Sequence, residues 1–89
     1  MLPPTFTDWM AAELDKKLAS LPTDQARYRH LILQGNVWTQ RYDAYVRRGR
    51  QPFGRPHPHY GPMGAADFVI VLGMIAGRRR SLEQHRVAA

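Results

Sequence analysis

His57-Pro58-His59 sets two imidazoles two residues apart. In an extended segment such side chains point the same way, and histidine is a common transition-metal ligand. A zinc site needs three or four protein ligands. His30, His85 and Asp67 are the other residues of suitable type, and nothing in their spacing joins them to the pair. The expectation is therefore a pair of polar loop histidines, with no metal and no other cofactor.

Residues for catalysis are equally scarce. The chain has no cysteine nucleophile, no phosphate-cradling glycine loop and no Gly-x-Ser-x-Gly turn. Ser20 and Ser81 stand in helix-terminal or polar contexts, and the seven carboxylates are scattered without the placement of an acid–base pair. No catalytic residue is expected, and the chain is not read as an enzyme.

Arginine is the residue type whose chemistry stands out. The net charge is +6 and unevenly placed. Through Ala26, Asp8, Glu13, Asp15 and Asp24 outweigh Lys16 and Lys17, giving −2. From Arg27 onward, eleven arginines face Asp43, Asp67 and Glu83, giving +8. Guanidinium forks bind phosphate and carboxylate in bidentate fashion. Arg47, Arg48, Arg50 and Arg55 form one cluster, and Arg78, Arg79 and Arg80 another. On a shared face these seven would track a polyanion, with Phe53 and Tyr60 available to stack on exposed bases. Cations at helix C-termini also have a purely structural use. No zinc finger, RNA-recognition aromatic motif or helix-turn-helix pattern accompanies them.

Gly73-Met74-Ile75-Ala76-Gly77 matches Gly-x-x-x-Gly, a spacing that lets helices approach closely. The surrounding apolar run, Phe68 to Gly77, is about half the roughly 20 residues that a membrane span needs. No membrane association is expected. The N-terminus lacks a basic region followed by an apolar core, so no secretory signal is read and the location expected is cytoplasmic.

Three helices must position these residues. The chain is one domain's worth, 1–89, with 44% hydrophobic residues and no cysteine to reinforce a small core. Phe6, Trp9, Met10, Leu14, Leu18 and Leu21 recur at helical spacing and predict a first helix at about 6–20, with Thr5 or Thr7 as cap and Pro22 as stop. Thr23 caps a second, at about 24–49. Within it Tyr28, Leu31, Gly35, Trp38, Tyr42 and Tyr45 follow at spacings of 3, 4, 3, 4, 3, a heptad stripe. Because that stripe runs through Gly35 in register, one continuous helix is predicted there.

Ala26, Leu33, Val37 and Ala44 form a weaker stripe on the opposite side of the second helix. A helix apolar on two sides must be covered on two sides. Tyr28, Leu33, Val37 and Tyr45 are accordingly the candidate interface, and a homodimer the expected assembly.

Residues 50–64 are dense in Pro and Gly and predict an ordered loop with Phe53 and Tyr60 tucked in. The run from Phe68 to Ala76 is apolar all round. It predicts a buried third helix, about 65–84, rather than a strand that would have no partner. The core expected comprises Trp9, Leu14, Leu18, Leu31, Trp38, Tyr42, Phe68, Leu72 and Ile75.

The fold expected is thus all-α, a three-helix bundle-like domain with a long central helix and an ordered Pro/Gly-rich loop before the last one. The function expected is a non-catalytic protein–protein interaction or assembly module. The alternative is a basic nucleic-acid-binding, regulatory protein using Arg47–Arg55 and Arg78–Arg80.

Overall fold

Thr5 begins the first helix by accepting the Asp8 N–H on its hydroxyl at 3.1 Å, which settles the choice between Thr5 and Thr7. The computed structural model describes residues 2–51 and 56–88, the last four by backbone alone. Helix α1 spans Phe6–Ser20 and stops where Leu21, in extended conformation before Pro22, leaves the helical region. Helix α2 spans Asp24–Arg47, opened by Thr23, whose hydroxyl accepts the Ala26 N–H. It runs unbroken through Gly35. It ends short of the expected boundary of 24–49, because Gly49 (φ 72°) and then Arg50 (φ 62°) turn left-handed.

Helix α3 spans Ala65–Ala88, past the expected end near 84, since neither Gly77 nor Ser81 interrupts it. Its start is fixed reciprocally. Asp67 Oδ2 accepts the Gly64 N–H, while the Gly64 carbonyl accepts the N–H groups of Asp67 and Phe68.

The heptad stripe of α2 meets α3 in antiparallel fashion. Tyr45 lies 5.0 Å from Phe68 between ring centroids, and Trp38 lies 6.1 Å from the same ring. Further along, a Cβ on Gly35 would stand 3.7 Å from Ile75 Cγ2, and the Tyr28 hydroxyl donates to Glu83. Position along α2 therefore rises as position along α3 falls. Helix α1 runs alongside α3 in the parallel sense, with its start near Tyr60 and Asp15 opposite Arg78. The α1–α2 corner is held by Arg27, which donates to the carbonyls of Leu18 and Leu21 and to Asp24.

The core is small. Leu14, Leu31, Trp38, Tyr45, Phe68, Val71 and Ile75 are buried, with Leu31 and Val71 fully enclosed. Trp9, Leu18, Tyr42 and Leu72, expected in the core, are only half-buried. Tyr45, expected at an interface, is 6% exposed and belongs to the α2–α3 seam. Among the described residues Trp38 Nε1 is buried without a hydrogen-bond partner, and the Arg41 guanidinium lies 4.7 Å from that ring.

The molecule is a slab, 44 × 33 × 17 Å. Its radius of gyration is 14.3 Å, against about 12 Å for a compact chain of this length. A layer this thin has faces that nothing among the described residues covers.

Candidate interaction surface

Helix α3 turns one side to its neighbours and leaves the other open. Phe68, Val71 and Ile75 point inward and are buried. At about 100° per residue, Ala66, Val69, Ile70, Gly73, Gly77 and Arg80 fall on the reverse side. All six are exposed, Val69 at 57% and Ile70 at 49%. A Cβ at Gly73 or Gly77 would meet nothing within 4 Å. The expectation that this apolar run would be wholly buried is corrected: α1 and α2 both pack on one side of it. The result is a ridge of two aliphatic side chains beside a glycine trough.

The other candidate positions separate. Leu33 is 57% exposed on the outer side of α2, with Val37 half-buried near it. Tyr28 is half-buried and engaged with α3 through Glu83, so it serves the intramolecular seam. Of the four interface candidates, Leu33 and Val37 remain on the surface away from α3, whereas Tyr28 and Tyr45 face it.

The two arginine clusters are not brought together. Arg47, Arg48 and Arg50 stand at the end of α2, level with the start of α3 around Phe68. Arg78, Arg79 and Arg80 lie ten to twelve residues further along α3, which is about 15 Å or more at 1.5 Å per residue. Within the second cluster the side chains also diverge. Arg78 turns to α1, donating from Nε and Nη2 to Asp15 at 2.6 and 2.9 Å. Arg79 stands 4.0 Å from Glu83. Arg80 lies exposed on the outer side of α3. Arg55 and Phe53 fall outside the described residues.

The hydrogen-bonded Arg78 guanidinium holds the Asp15 carboxyl below its ordinary value, and Asp15 in turn raises Arg78. His30 on α2 is also lowered, first by partial burial and then by the nearby charge of Lys17.

His57 and His59 part company. His57 Nδ1 accepts the backbone N–H groups of His59 and Tyr60, and its ring packs 4.7 Å from Trp9 and 4.8 Å from Tyr60. That nitrogen organises its own turn, which a pair of backbone bonds between His57 and Gly61 closes. The Tyr60 hydroxyl donates to the Pro3 carbonyl, so the loop is stapled to the start of α1, with Tyr60 tucked in as expected. Among the described residues no group of three His, Cys, Asp or Glu side chains converges as a metal site would. No helix among them is long and apolar enough to cross a membrane.

Comparison with protein families, with curated proteins and with solved structures finds no match to this chain. The open side of α3 was not visible in periodicity, because a run that is apolar all round favours no direction. The signal present was Gly73-x-x-x-Gly77, with Val69 and Ile70 one turn before it.

Proposed function

We propose that this chain is a non-catalytic helical interaction and assembly module whose working surface is the outer side of α3. The observation that carries the proposal is the exposure of Val69 and Ile70 beside two glycines with open space above them. Val69 and Ile70, each about half-exposed, forgo roughly 1–1.5 kcal/mol per side chain that burial on a partner would recover. The thin slab and small core support the same view. The occupant of this face is protein, either a second copy of the chain or a different one.

Polyanion binding through one continuous patch would need Arg47, Arg48, Arg50 and Arg78–Arg80 on a shared face. The two groups instead stand about 15 Å or more apart along α3, with Arg78 turned to Asp15 and Arg79 toward Glu83, which does not favour one patch.

A photo-cross-linking residue placed at Val69 or Ile70 of the full chain, in the cells that make it, tests the proposal. One discrete protein adduct from these positions, and none from exposed Lys16 on α1, is expected. Irradiation that yields no adduct at either α3 position, or the same adducts from Lys16, overturns it.

A further inference from the structure

Resting on that proposal, we infer that the occupant of the α3 face is a second copy of this chain, packed antiparallel about a two-fold axis at Gly73.

The face is complementary to itself in one register. When two α3 helices run antiparallel and cross at Gly73, Val69 of one stands opposite Gly77 of the other, with Ile70 flanking the axis. Val69 then meets a small residue, and the Gly73 pair on the axis lets the backbones approach closely. The contact is isologous, as a closed two-fold dimer requires.

Charge selects the direction. Arg80 is the cation on this face. A parallel pair would set Arg80 against its own copy. In the antiparallel pair the two Arg80 residues are about 21 Å apart along the axis, beyond the screening length at physiological salt. Each falls instead opposite Ala66, beside the first turn of the partner helix, which carries Asp67. The helix dipoles also oppose one another.

The test uses the purified full chain in sedimentation velocity across a concentration series. The sedimenting mass is expected to reach twice the 10.2 kDa of one chain as concentration rises. Gly73→Leu is expected to leave the protomer intact, since nothing lies within 4 Å of a Cβ at this exposed position, but it blocks the close approach. It and Val69→Glu are each expected to weaken dimerisation by about tenfold or more, with helical circular dichroism unchanged. Because the chain lacks cysteine, direction is read separately with a short thiol cross-linker. A mixture of V69C and G77C chains is expected to join across, and V69C alone is not.

A chain that stays monomeric at about 100 µM, far above the micromolar range of ordinary dimers, overturns the inference. So does a dimer indifferent to both substitutions, or V69C chains that join to themselves. An in-cell adduct from Val69 to a different protein would sink the dimer while leaving the interaction proposal standing; no adduct at all would sink both.

Discussion

Arg78 and Asp15 are 63 residues apart in the chain and joined by two parallel contacts, Nε to Oδ1 at 2.6 Å and Nη2 to Oδ2 at 2.9 Å. This fork ties the middle of α1 to the second half of α3. Arg78 also donates to the Met74 carbonyl one turn back, which holds its side chain in place. Asp15 is well exposed, so solvent screening limits what the pair contributes.

A double-mutant cycle with Asp15→Asn and Arg78→Met should give a coupling of about 0.5–1 kcal/mol in urea unfolding, the upper end for a surface pair because the geometry is bidentate. The sign with pH follows from the lowered carboxyl. The folded value lies below 3.8, so the stabilisation is complete above that value and is lost as pH falls through the folded one. The difference in stability between wild type and Asp15→Asn should therefore be flat near neutrality and shrink in strong acid. A difference that grew on acidification would contradict this assignment.

Gly35→Ala should stabilise the protein. Glycine inside a helix costs about 0.5–1 kcal/mol relative to alanine. The added Cβ would sit 3.7 Å from Ile75 Cγ2, an ordinary van der Waals contact, so no strain offsets the gain. Thermal unfolding should show a midpoint about 2–8 °C higher. A lower midpoint would mean that α2 and α3 are closer at this crossing than described.

Arg50→Gly should also stabilise, by up to about 1 kcal/mol, because Arg50 holds a left-handed backbone (φ 62°) that glycine adopts without steric cost. Gly49→Ala is the matching control. It has open space for its Cβ but a φ of 72°, so it should destabilise by about 1 kcal/mol through backbone strain alone. Urea midpoints of the two variants should move in opposite directions.

The features legible in the sequence are those governed by near neighbours. Thr23, Pro22 and the heptad stripe placed the helices, because caps, breakers and periodicity act within one or two turns. Thr5 and Thr7 were both compatible with the first start, and only the Asp8 N–H chose between them. Features decided across the chain were not legible. Tyr45 lies in the same stripe as Trp38, yet whether it meets α3 or another molecule depends on where α3 begins. The openness of Val69 and Ile70 depends on α1 and α2 choosing the same side of α3, which no spacing within α3 records. The Asp15–Arg78 fork and the Arg27 corner likewise join residues that look ordinary in their local contexts.

The order of the helices bears on how the protein is made. Both α1 and α2 lean on α3, yet α3 is translated after them. Until it emerges from the ribosome, the stripe from Tyr28 to Tyr45 has nothing to pack against except a short corner at Arg27. Between the appearance of that stripe and the docking of α3, the nascent chain carries an aromatic surface with no intramolecular partner, a species prone to aggregation. Closure then rests on contacts such as Tyr28–Glu83 that span most of the chain, which slows folding relative to a helical protein built from local contacts. The completed fold hides that vulnerability, because Tyr45 ends buried against Phe68.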